Sequence, residues 1–259
     1  MRKRSRFPGR PRPWRFAGNL SVVALLLLSL LTSALGESNL TAYYNPQVPP
    51  PFPQKHAASG DDYFTDAIFI GDSMMESVQM YNLFPSAKIV CKSGFSSSNA
   101  GWRVFYVHEW DEPRNFYEMI EYYQSNKIYI WLGANSLDNK TSGESLQDYR
   151  VMIEEMVRRF PKAYIYIIPP PSVTKKAMAS MNLGPLRYYN FRNGLMELAQ
   201  EYNLYFLDFY ALVVDAEGYM IDIYDGGDGG HPSKRALKLL ENLVRTCTVE
   251  YPAPAEQSP

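Results

Sequence analysis

The chain has 259 residues, 46% of them hydrophobic and 14% aromatic, which suits one globular domain with a sizeable core and appendages. Its formal net charge of −1 is unevenly spread: residues 1–36 hold seven Arg or Lys and no acid, leaving 19 basic against 27 acidic side chains in the remainder. An acidic body gives no support for nucleic-acid binding, and the two cysteines and three histidines show no zinc-ligand spacing.

The chain begins "MRKRSRFPGRPRPWR", then "LSVVALLLLSLLTSALG": a charged region, an apolar run and a small-residue exit at Ala34-Leu35-Gly36. Residues 1–36 therefore read as a secretory signal. The apolar run is at the short end for a ~30 Å hydrocarbon core, which leaves an N-terminal membrane anchor as the other reading. No cysteine lies near the exit, against a lipid-anchored protein. Either way the domain is expected outside the cytoplasm, secreted or attached to the outer face of a membrane. Residues 37–60, which include "YYNPQVPPPFPQKHAASG", are Pro-rich without an apolar period and predict an extended linker.

From residue 61 to about 250, apolar runs alternate with amphipathic stretches. Strands are predicted at "DAIFI" (66–70), "AKIVC" (87–91), "KIYIWL" (127–132), "AYIYII" (163–168) and "LYFLDF" (204–209). Helices are predicted over 145–160, over 184–202 with Gly194 as a blemish, and over 233–247 with Ser233 as N-cap. Such alternation predicts an α/β domain, a mostly parallel sheet covered on both faces. "HEWDE" at 108–112 lacks the second His of a metalloprotease helix, so His108 reads as an ordinary polar residue. Cys91 and Cys247 could pair outside the cytoplasm or stay buried and free. The tail, 251–259, is expected to be disordered.

Ligands of an open parallel sheet bind outside the carboxyl ends of its strands. Gly71-Asp72-Ser73 follows the first strand, "KSGFSSSNAG" the second, "GANSLDN" the third, and "DGGDGGHPS" precedes the last helix. Each is unremarkable alone, since Gly, Asn, Asp and Ser favour turns and caps. Together they bring Ser, Gly, Asn, Asp and His to one sheet edge. A serine opening a helix sits where backbone N–H groups and the dipole favour negative charge. Asp228 precedes His231 by three residues, and in a turn that spacing lets the carboxylate reach the imidazole Nδ1–H. The tautomer is then fixed and Nε2 is left as a base. The same residues could also form a solvated Gly-rich turn, or offer calcium the acids Asp222, Asp225 and Asp228. Their spacing does not match an EF-hand loop.

In these blocks the chain resembles the SGNH hydrolases, the GDSL lipase/esterase family. "IFIGDS" matches the first block and carries the nucleophile onto Ser73. Gly94 matches the second-block glycine and "GANS" the third block, carrying its Asn onto Asn135. "DGGHP" matches the last block, with Asp228 and His231. The resemblance, over about residues 61–247, implies a three-layer α/β/α, flavodoxin-like fold of about five parallel strands. It implies a catalytic triad of Ser73, His231 and Asp228, and an oxyanion hole from the N–H groups of Ser73 and Gly94 and the Asn135 amide. No metal and no cofactor are called for. Ser136 stands in place of the usual Asp, and Ser96 and Ser97 replace a second glycine in the loop after strand two. Met74 and Met75 follow the serine, and the absence of G-x-S-x-G argues against the other large serine-esterase fold. The expected activity is removal of short acyl groups, acetyl foremost, from carbohydrate or cell-envelope esters. An O-acyltransferase using the same triad is the alternative, and a non-catalytic surface-binding module a further one.

Overall fold

The computed structural model describes residues 51–106 and 112–249. The expected signal or anchor (1–36), the first part of the expected linker (37–50), His108 and the tail (251–259) lie outside the described residues. The strands are β1 (Ala67–Gly71), β2 (Lys88–Cys91), β3 (Val104–Phe105), β4 (Arg114–Asn115), β5 (Lys127–Trp131), β6 (Tyr164–Ile168) and β7 (Tyr205–Phe206). The helices are α1 (Ser73–Met80), α2 (Phe116–Tyr123), α3 (Ala134–Leu137), α4 (Ser142–Arg159), α5 (Lys175–Met181), α6 (Pro185–Glu201), α7 (Phe209–Val213) and α8 (Lys234–Thr246).

Five strands form one parallel sheet in the order β2-β1-β5-β6-β7, and β3 with β4 makes a separate antiparallel pair. Counting the parallel strands alone, the order is 2-1-3-4-5, the flavodoxin-like arrangement expected. Every residue of β1 and β5 is buried, so their unbroken apolar runs match strands covered on both faces. On one face Phe69, Tyr129, Tyr166 and Tyr205 stand in register across four strands. Their rings stack at centroid spacings of 4.4, 4.3 and 4.9 Å, with Phe84 stacked 4.4 Å beyond Phe69. Met75 and Val78 of α1 and Leu237, Leu240 and Val244 of α8 belong to the same apolar cluster. The alternate residues, Ile68, Ile70, Ile128, Ile130, Ile165 and Ile167, are buried too and point to the opposite face.

Elsewhere in this fold, α4 and α6 lie in contact through Gly194, where a Cβ would come within 2.2 Å of Leu146 Cδ1. The residue that blurs the helical pattern is thus what lets two helices approach.

Several expectations need correction. The Pro-rich segment is not a free linker over residues 51–60. The Phe206 N–H donates to the Pro51 carbonyl at 2.8 Å, and Phe52 packs edge-on to Phe206 at 6.0 Å. This covers the outer edge of β7, whose backbone groups would otherwise be open to other chains. His56 and Ser59 donate N–H bonds to Thr246 and Arg245. The strand predicted over 204–209 stops at Phe206, because Asp208 caps α7 and forms a buried ion pair with Arg192 of α6. The segment 169–184 holds α5, whose N-cap is Thr174. Cys91 and Cys247 are not joined in a disulfide, and burial, helped by Glu76 and Asp72, pushes the Cys91 thiol up to about 11. Among the described residues no helix is long and apolar enough to cross a membrane.

Candidate active site

In a sheet of this order, the chain leaves β1 and β5 toward opposite faces, and the crevice between those neighbours is where ligands settle. Gly71 and Trp131 are paired at the carboxyl ends of these strands, so Ser73 and Asn135 follow side by side. The corner after β1 is tight. A Cβ on Gly71 would lie 2.5 Å from Met75 Cβ and 2.8 Å from the Trp131 carbonyl oxygen, so only glycine fits. Asp72 then caps α1, its Oδ1 accepting the Met74 N–H at 3.0 Å, and Ser73 is the first helical residue. The Asp72 side chain was legible only as a cap. It is 1% exposed, and its Oδ2 accepts the Asn135 Nδ2–H at 3.1 Å. Burial raises its pKa to about 6, against the pull of the Met74 N–H and the His231 charge.

Asn135 sits in α3, and its amide nitrogen also donates to the Phe95 carbonyl at 3.1 Å. Phe95 follows Gly94 in the loop after β2, where Gly94 takes φ 74, a conformation that favours glycine. The serines that replace the second glycine have a local role. Ser96 and Asn99 form a reciprocal capping box around the turn Ser97–Asn99, and Asn99 Nδ2 donates to the Gly94 carbonyl at 2.9 Å. Arg103 Nη2 donates to the Ser93 carbonyl at 3.2 Å from the other side. Ser136, in place of the usual acid, is buried, and its hydroxyl has no partner among the described residues.

The loop before α8 is shaped by its own acids. Asp225 accepts the Gly229 N–H at 2.8 Å, while Asp228 Oδ1 accepts the N–H groups of Gly230 and His231 at 2.9 and 2.8 Å. The Gly226 N–H donates to the His231 carbonyl at 2.7 Å, and Thr174 N–H ties the loop to the start of α5 through the Gly229 carbonyl at 2.8 Å. Asp228 Oδ2 lies 2.6 Å from His231 Nδ1, and His231 Nε2 lies 2.9 Å from Ser73 Oγ. Partial burial works to raise the Asp228 pKa, but the two N–H donors and the imidazole outweigh it and hold the carboxyl at about 2. Among the described residues no group of three or more His, Cys, Asp or Glu is arranged to hold a metal ion.

Ser73, Asn135, Asp228 and His231 line one cleft of about 220 Å³. Gly94 stands outside its lining and joins the site through Phe95 and Asn135. Pro171, Val173, Ala177 and Met181 add apolar lining, and Asp138 and Tyr188 line the cleft as well. Asp138 and Tyr188 carried no motif and were not legible. Their only signal was position: Asp138 is three residues past Asn135, and Tyr188 is on the helix that follows α5.

Solved structures share this fold. A GDSL-like lipase from Bacteroides thetaiotaomicron is 16% identical with a TM-score of 0.57, over 73% of this chain and 89% of its own. A catalytic mutant of an acetylxylan esterase from Geobacillus stearothermophilus is 15% identical with a TM-score of 0.52, over 71% and 94%. The lipase/acylhydrolase from Enterococcus faecalis is 17% identical with a TM-score of 0.50, over 68% and 92%. At these identities the likeness is one of fold. A search of curated proteins finds no match. The family assignment comes from the sequence itself: residues 69–239, well over half the chain, match the GDSL-like Lipase/Acylhydrolase family. This chain belongs to that family and is a hydrolase.

Proposed function

We propose that the protein is a serine esterase that removes short acyl groups, acetyl foremost, from carbohydrate or cell-envelope esters outside the cytoplasm. One observation carries the reading: a single imidazole lies 2.6 Å from a carboxylate at Nδ1 and 2.9 Å from a serine hydroxyl at Nε2. With Nδ1–H donated to Asp228, Nε2 accepts the Ser73 proton as Oγ attacks the ester carbonyl. The imidazolium so formed is stabilised by Asp228 and returns its proton to the leaving alcohol. The acyl group stays on Ser73 until water, deprotonated by His231, releases it as the acid.

The oxyanion would be met by the N–H groups of Ser73, at a helix N-terminus, and of Gly94, and by the Asn135 amide. Both amide hydrogens of Asn135 already have acceptors, Asp72 and the Phe95 carbonyl. Donation to the oxyanion therefore means sharing or exchanging one of these bonds as charge develops. The cleft, about 220 Å³, is smaller than the ~300–1,000 Å³ of pockets for drug-sized ligands, in keeping with a small ester. The acetylxylan substrate named for one relative in fold supports carbohydrate esters. The basic and apolar character of residues 1–36 supports export, as a secreted or membrane-anchored protein.

The test is release of p-nitrophenol from p-nitrophenyl acetate, together with labelling by a fluorophosphonate serine probe. Turnover and labelling are expected in the wild type, and both vanish in Ser73→Ala. Undiminished turnover in Ser73→Ala would sink the reading.

A further inference from the structure

The cleft beside Ser73 has one carboxylate that the triad does not use. Asp138 closes α3, three residues after Asn135, which puts the two side chains on one side of that short helix. Its carboxylate lines the same cleft as Ser73 and His231, and makes no hydrogen bond or ion pair among the described residues. The nearby cation, Arg187, is engaged elsewhere, its Nη1 donating to the Leu137 and Lys140 carbonyls at 2.8 and 3.2 Å. Tyr188, the next residue on α6, is 2% exposed and lines the cleft as well. Its phenol is raised by burial and then by the charge of Asp138, as expected of near neighbours. The apolar residues Val173, Ala177 and Met181 line the same cleft.

We infer that Asp138 and Tyr188 form a polar subsite that binds hydroxyl groups on the alcohol part of the ester, selecting acylated sugars over apolar esters. The inference rests on Ser73 being the nucleophile. An ionised carboxylate only accepts, and a tyrosine hydroxyl both donates and accepts, so the pair suits vicinal hydroxyls. An acyl chain laid in this cleft would face a carboxylate and strip its water for no hydrogen bond in return. A sugar ring offers both kinds of contact this lining takes: C–H groups for Ala177 and Met181, and hydroxyls for Asp138 and Tyr188.

The experiment compares kcat/KM on an acetylated methyl xyloside, read as released acetate, with kcat/KM on p-nitrophenyl acetate. In Asp138→Ala the ratio of sugar ester to p-nitrophenyl acetate should fall about tenfold, mainly through KM, as for loss of a charge-assisted hydrogen bond. Asp138→Asn, nearly isosteric, and Tyr188→Phe should each lower it by about threefold. Their folding is checked by circular dichroism. An unchanged ratio in all three variants would overturn the subsite. So would a gain on p-nitrophenyl butyrate relative to acetate in Asp138→Ala, since the cleft would then hold the acyl chain. A tenfold greater loss on an acetylated glucosamine than on the xyloside would replace hydroxyl binding by ammonium binding. A wild type that cleaves none of these esters removes the esterase reading and the subsite with it. A wild type active on all, with the ratio untouched, removes the subsite alone.

Discussion

Two carboxylates flank Ser73, and they are held in opposite ways. Asp72 lies in the tight β1–α1 corner, 1% exposed and bonded to the Met74 N–H and Asn135, and burial raises its pKa to about 6. Asp228 lies in an open Gly-rich loop, where its side chain is 58% exposed, and backbone N–H groups with the imidazole bring it to about 2. The corner is fixed by packing, so its geometry depends on the core and little on solvent. The loop is fixed by hydrogen bonds made within itself and to Thr174, so its geometry depends on which acids are ionised. A nucleophile at a rigid corner and a base on a hydrogen-bonded loop make a division of labour in which substitutions on the two sides should differ in kind.

The largest effects test whether the two sides meet at all. Ser73→Ala and His231→Ala should each lower kcat on p-nitrophenyl acetate by about 10⁴-fold or more, and the double variant by little beyond either. Circular dichroism should be unchanged, because neither side chain belongs to the core. Additive losses would mean that the two do not act as one unit.

Next comes the loop's own contrast. Asp228→Asn should lower kcat by roughly 10³–10⁴-fold, since an amide facing Nδ1 favours the wrong tautomer and gives the imidazolium no counter-charge. Asp225→Asn touches no contact to the imidazole and leaves Gly229 a neutral acceptor in place of a charged one, so it should cost far less. Equal losses would show that loop shape, not the charge beside His231, is what Asp228 supplies.

This contrast also marks what could be read from the sequence. The apolar runs of β1, β5 and β6 were legible because strands buried on both faces leave no other pattern, and the edge strand β2, with Val90 alone fully buried, was legible from its short apolar run. The helices α4, α6 and α8 were legible from their period. Ser73, Asn135, Asp228 and His231 were legible because each stands in a short motif at a strand end or before a helix. What escaped depends on contacts distant in sequence. The Pro51–Phe206 bond that turns a linker into an edge cover joins residues far apart in sequence. The shortness of β7 follows from the Asp208–Arg192 pair, and α2, α5 and the β3–β4 pair are too short for a clear period. Asp72 read as a cap because its second partner, Asn135, comes from another strand's end.

A smaller effect probes the corner through that partner. Asn135→Ala should lower kcat by about 10²–10³-fold with a lesser change in KM, as for an oxyanion donor. Ser136→Ala should leave kcat nearly unchanged and stability equal or slightly higher, because the buried hydroxyl it deletes has no partner among the described residues. A normal kcat in Asn135→Ala would reduce the residue to a strut between Asp72 and Phe95.

A more modest loss of rate accompanies the prediction that separates the two acids by pH. In the folded chain Asp72 keeps its proton up to about 6, whereas an ordinary Asp releases it near 3.8. Between these values the folded state binds more proton than the unfolded one, so stability must fall as pH rises from about 4 to about 6. The two-unit shift corresponds to about 3 kcal/mol. Asp228 works in the other sense, and its window, below the ordinary Asp value and down to about 2, does not overlap. Asp72→Asn removes the titrating group, so its melting temperature should lose that decline across pH 4–6. The variant should be no less stable than wild type at pH 7, while kcat falls about tenfold because Asn135 loses a charged acceptor. Parallel melting curves for variant and wild type over this range would mean that the corner carboxylate titrates like an exposed one. Packing would then not be what distinguishes the corner from the loop.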